Sequence, residues 1–138
     1  MKNIFVLILI VFANSLINAK ADKPDDLYTV VFYNIENLFD TLDHPDFEDE
    51  EFTPESEKNW NTERYKKKLM DISRVLYETG KGELPEIIGL AEVENKKVLE
   101  DLTGMPLLKE GNYMIIHKEG IDRRGIDVAL LYRNDQLK

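Results

Sequence analysis

The sequence predicts a mixed α/β (α+β) fold, on three observations. The run Tyr28-Thr-Val-Val-Phe-Tyr33 is β-branched and aromatic, the composition of a strand. Tyr65, Leu69, Ile72 and Leu76 recur at four-, three- and four-residue steps, which gives a helix one apolar stripe. Ile87 to Ala91 is a short apolar run that follows Pro85 and stops at a carboxylate, Glu92. Strands buried on both faces are apolar throughout, so Glu92 falls where a core strand emerges at the edge of its sheet.

Residues 1–21 stand apart from this pattern. Lys2 supplies a positive start, Ile4 to Ala13 is almost wholly apolar, and Ala19-Lys20-Ala21 is a small-x-small cleavage site. These are the parts of a secretory signal peptide, with cleavage after Ala19 as the alternative. The apolar run is too short for a comfortable span, so no stable membrane insertion is expected after cleavage. The 138 residues include no Cys, which suits export to a bacterial periplasm or medium without disulfides. Loss of Lys2 and Lys20 leaves 16 of the 18 basic residues against 27 acids, a net charge near −11. Such a chain repels polyanions at long range, so any contact with nucleic acid has to be local and bridged by metal. Residues 22–138 suffice for one small domain.

Taken in order, the first strand ends at Asn34, and Ile35 to Asp40 begins a loop or a single helical turn. Residues 40–57 hold nine acids with Pro45 and Pro54, which predicts a long exposed acidic loop. The absence of any Gly and of the alternating acidic pattern favours a solvated face there over a Ca²⁺ loop, and a secreted acidic Ca²⁺-binding protein is the third reading. Thr62 can cap a helix from Glu63 to Thr79, with Gly80 as its stop and Lys66, Lys67 and Lys68 as solvent cover. After the Glu92 strand, Asn95 can cap a short helix, Lys96 to Leu102, ended by Gly104 and Pro106. Residues 111–117 and 126–132 read as a hairpin across the polar turn 118–125. The order is strand, helix, strand, helix, strand, strand.

Asn34 and Glu92 both end apolar strands. If those strands are neighbours, an amide and a carboxylate share one rim, where they can hold a hard cation and orient a phosphate oxygen. Strands also end in Asn or Glu for turn formation or ion pairing, and spacing alone does not separate these roles. His44 and His117 read as surface histidines, because neither has a partner nearby in sequence and their spacing makes no zinc pattern. Arg123 and Arg124 can meet a phosphate, although a solvated turn with Asp122 and Asp127 is favoured. Asp127 stands among apolar neighbours, either facing inward to pair with an Arg or facing solvent.

Three motifs, Phe32-Tyr-Asn-Ile-Glu-Asn-Leu-Phe-Asp40, Gly89-Leu-Ala-Glu-Val-Glu-Asn95 and Arg124-Gly-Ile-Asp-Val-Ala-Leu-Leu-Tyr132, stand in an order that resembles the endonuclease/exonuclease/phosphatase family. The likeness is to members such as deoxyribonuclease I and exonuclease III, and within them to exported proteins of Bacteroidetes-type bacteria. It implies a four-layer αββα sandwich with mostly antiparallel sheets, and hydrolysis of a phosphodiester, DNA above all, with Mg²⁺ or alternatively Mn²⁺ or Ca²⁺. It assigns Glu92 to the metal and Asn34 to positioning the metal or the scissile phosphate, both as catalytic residues. The family's Gly-Asp-x-Asn and Ser-Asp-His-type motifs, which carry the general base and the histidine, have no counterpart here. The expectation is therefore an N-terminal half domain over residues 22–138, inactive alone. The alternative is a non-catalytic binding module on the same scaffold.

Overall fold

The computed structural model describes residues 27–137; the predicted signal peptide and the polar leader after it lie outside the described residues. Four strands and two helices alternate as the sequence predicts: β1 (Val30–Leu38), α1 (Thr62–Thr79), β2 (Ile87–Val93), α2 (Lys96–Thr103), β3 (Met114–His117) and β4 (Asp127–Tyr132). They form one sheet in the order β1-β2-β4-β3. β1 and β2 run parallel across the α1 crossover, and the β2–β4 and β3–β4 ladders are antiparallel. The result is a mixed α/β, mostly antiparallel partial sandwich.

The α1 stripe does what its spacing requires: Tyr65, Leu69, Ile72 and Leu76 are all buried. They meet Val31, Ile88, Leu90 and Leu131 of the sheet and Val98, Leu99 and Leu102 of α2 in one core. Each such aliphatic side chain contributes on the order of 1.5–3 kcal/mol by leaving water. The cap is Asn61, one residue earlier than predicted, whose Oδ1 accepts the N–H groups of Glu63 and Arg64 at 3.1 Å each. Gly80 caps the end of the helix, where a side chain would not fit: a Cβ there would lie 2.1 Å from the Glu83 carbonyl oxygen. Asn95 caps α2 as expected, accepting from the Val98 N–H at 3.0 Å.

The other face of the sheet is open. Val30 (65 % exposed) and Phe32 (73 %) of β1, Met114 and Ile116 of β3, and Val128 of β4 all point away from the helices. A contiguous apolar sheet face is the surface on which the second sheet of a sandwich packs, about 10 Å away.

Five expectations are corrected. β1 does not end at Asn34 but continues to Leu38, and β2 runs past Glu92 to Val93. The acidic segment is not a bare loop. Phe52 stacks on Phe39 with ring centroids 4.0 Å apart and meets the Trp60 edge, while Trp60 Nε1 donates to the Asp40 carbonyl at 2.6 Å. Residues 109–111 form a 3₁₀ turn, so β3 starts at Met114. Lys68 is not solvent cover: it is half-buried beside Trp60 and donates to the Glu36 carbonyl.

Candidate active site

The rim at the ends of β1 and β2 is built by two coincident irregularities. The strands pair in steady register from Val30↔Ile87 to Asn34↔Ala91. The next pair is Leu38↔Val93, so β1 spends four residues where β2 spends two. On its other side β2 spends two residues, Ala91 to Val93, where β4 spends one, Val128 to Asp127. Each bulge changes the phase of side-chain alternation. Buried positions on β1 therefore pass from Val31 and Ile35 to Leu38, and on β2 from Ile88 and Leu90 to Val93. The residues expelled from the alternation are Glu36 (φ 55°), Asn37 (φ 63°) and Glu92 (φ 65°). Left-handed backbone costs a non-glycine residue about 1–3 kcal/mol, and such positions gather at functional sites.

The geometry brings the two predicted residues together. Asn34 Nδ2 donates to Glu92 Oε1 at 3.0 Å. Asn34 Oδ1 accepts from the Glu36 N–H at 2.8 Å, which fixes which end of the amide is oxygen. Asn34 thus holds the carboxylate, and its own oxygen is taken. Among the described residues, no donor reaches the second Glu92 oxygen. Asp122, its ion-pair partner, and to a lesser degree Glu92 favour the protonated form of Arg124, while the charges of Glu36 and Glu92 favour that of Lys68. Burial nevertheless leaves the Lys68 ammonium below its ordinary range. A hard oxygen donor with one free lone-pair edge, at a partly exposed rim, fits a hard divalent cation.

Behind the rim lies a second acidic layer. Glu94 is 5 % exposed and accepts from the Asp40 N–H at 2.6 Å. Burial pushes its carboxyl up to about 7, and the charges of Asp40 and Asp49 add to the effect. Asp49 is buried as well and raised by desolvation, while the His44 N–H partly offsets this.

Sequence reasoning missed the third group. His117 is not a surface histidine: its side chain and that of Asp127 are each 5 % exposed, with Nε2 and Oδ2 3.2 Å apart. Asp127 faces inward as one reading expected, but its partner is this histidine and not an Arg. Arg123 pairs with Glu48, and Arg124 pairs with Asp122 at 2.9 Å, which makes them the solvated turn. The missing signal was hairpin register. His117 pairs with Ala129, so Asp127 lies two residues away across the ladder. His44 is exposed, as predicted, and tilts against Phe47.

The mixed, mostly antiparallel partial sandwich agrees with a class of hydrolases that attack phosphoesters with the help of a metal ion, and the family comparison gives that class. The family model of the Endonuclease/Exonuclease/phosphatase family matches residues 29–138, and the chain belongs to that family. Its members are metal-dependent and act on phosphodiester substrates such as nucleic acids. No curated protein and no solved structure matches the chain. Among the described residues, no helix is long and apolar enough to cross a membrane.

Proposed function

We propose that this chain supplies the metal-binding side of an exported, Mg²⁺-dependent phosphodiesterase that cleaves DNA. The observation that carries the reading is the Asn34–Glu92 contact, set on paired bulges with three left-handed non-glycine residues. Backbone strain of that kind persists only where surrounding structure imposes it, and here it turns one carboxylate outward. Glu92 offers its free oxygen as the ligand. Asn34 orients that carboxylate and keeps a second N–H for a phosphate oxygen. Lys68 adds positive charge beside an otherwise acidic rim, where a phosphate must approach. Bound there, Mg²⁺ (or Mn²⁺ in its place) supplies a Lewis acid for the phosphoryl oxygen and stabilises charge that builds in the transition state.

The water-activating carboxylate and the histidine of the reaction belong to Gly-Asp-x-Asn and Ser-Asp-His-type segments, which residues 22–138 do not contain. The chain by itself is therefore catalytically inert in this proposal. Export rests on residues 1–21 and the lack of cysteine, and predicts a mature N-terminus at Asp22.

The test joins the chain to a family segment carrying both motifs and follows duplex DNA cleavage with and without Mg²⁺. Metal-dependent cleavage that disappears in Glu92→Ala is expected. Full activity in that variant removes Glu92 from the mechanism. DNA binding without turnover, whatever the divalent metal, makes the scaffold a binding module.

A further inference from the structure

We propose that His117, Glu119 and Asp127 form a second cation site, separate from Glu92, for a divalent transition ion of the zinc type. One nitrogen and two carboxylate oxygens from these side chains lie within 4.8 Å of one another. His117 Nε2 and Asp127 Oδ2 are already 3.2 Å apart, near the ligand–ligand spacing of about 3.4 Å that a tetrahedral ion with bonds of roughly 2.1 Å requires.

The second observation is what those two atoms lack. Both are buried, and neither has a hydrogen-bond partner among the described residues, despite their proximity. The two groups are close without donating to one another, the arrangement of ligands that converge on a third body. The other oxygen of Asp127 is held in place, accepting from the Gly120 N–H at 2.6 Å. Ligating carboxylates are commonly fixed in this way by an outer hydrogen bond. Gly120 permits the approach, because a Cβ there would lie 2.5 Å from Asp127 Oδ1.

Charge and access agree with this reading. Arg123 and Arg124 of the connection are occupied by Glu48 and Asp122, so neither neutralises Asp127. An imidazole nitrogen with two carboxylates is a donor set whose charge a divalent ion balances. Glu119 is exposed and gives the ion an entry from solvent. The imidazole also sets the selectivity: nitrogen donors suit zinc-type ions, whereas the all-oxygen rim at Glu92 suits Mg²⁺.

The test titrates the full chain with Co²⁺, reading visible absorption, and then displaces it with Zn²⁺. One equivalent of Co²⁺ with a visible band, released by Zn²⁺, is expected. Glu119→Gln removes a ligand from an exposed side chain, so folding is not at issue, and should weaken Co²⁺ affinity by about tenfold or more. His117→Gln should abolish the band, and Glu92→Gln and His44→Gln should leave it intact. The absence of a band, unchanged affinity in Glu119→Gln, or loss of the band in Glu92→Gln or His44→Gln would each overturn the assignment; the first would leave His117 and Asp127 as a simple ion pair.

Discussion

Asn34–Glu92 and His117–Asp127 belong to one sheet and are built by opposite means. The first pair is exposed or half-exposed and is put in place by the backbone, through two bulges and three left-handed residues. The second is buried on ordinary extended strands and is put in place by hairpin register. The first arrangement weakens the fold locally in exchange for an outward carboxylate. The second buries two polar atoms, His117 Nε2 and Asp127 Oδ2, that have no hydrogen-bond partner among the described residues. Substitutions in the two pairs should therefore separate activity from stability.

The largest expected effect is on turnover. In the protein joined to the catalytic segments, Glu92→Gln should lower kcat/KM for DNA cleavage by about 10³-fold, while thermal unfolding barely moves. A comparable loss of stability would mean that the rim is structural, and the contrast with the buried pair would fail.

Next comes pH. The Glu94 carboxyl, raised from 4.5 to about 7 in the folded protein, holds a proton there that the unfolded chain has already released. Its contribution therefore lowers stability as pH rises from about 4.5 through 7, and levels off above that. Glu94→Gln keeps an acceptor for the Asp40 N–H. It should stabilise the protein by about 2–3 kcal/mol at pH 8 and by nothing at pH 4, read from urea unfolding at both pH values. An equal gain at both would assign the effect to packing.

Asp127→Asn should cost about 2 kcal/mol without added metal, because it weakens the Gly120 contact and leaves His117 facing an amide. The smallest effect has the opposite sign. Glu92→Gly relieves a left-handed backbone and should raise stability by about 1 kcal/mol while activity is lost, as expected of a strained functional position. Destabilisation by Glu92→Gly would show that the Asn34 hydrogen bond outweighs the strain.

Periodicity made the covered side of the molecule legible. The Tyr65–Leu76 stripe, the Ile87–Ala91 run and the Asn95 cap each act as their chemistry suggests, since burial of a stripe depends on spacing alone. The bulges were harder to read, because two of the three left-handed residues are glutamates and only Asn37 is a usual occupant of that region. Their trace was present as a change of parity, with buried Val31 and Ile35 followed by Leu38. Nine acids concealed the aromatic packing of Phe39, Phe52 and Trp60, because composition reports average exposure and not which side chains anchor a segment. Asn34 and Glu92 were found from strand ends, but that they touch depends on the parallel pairing of β1 with β2. His117 and Asp127 were out of reach until the hairpin register was known.

The account rests on a carboxylate that leaves the sheet to meet a hard cation. Mg²⁺ titration of the full chain, followed by backbone amide chemical shifts, tests it most directly. Saturable shifts centred on Asn34, Glu36 and Glu92, absent in a folded Glu92→Gln variant, are predicted. Shifts that ignore these residues, or that survive unchanged in Glu92→Gln, would contradict it.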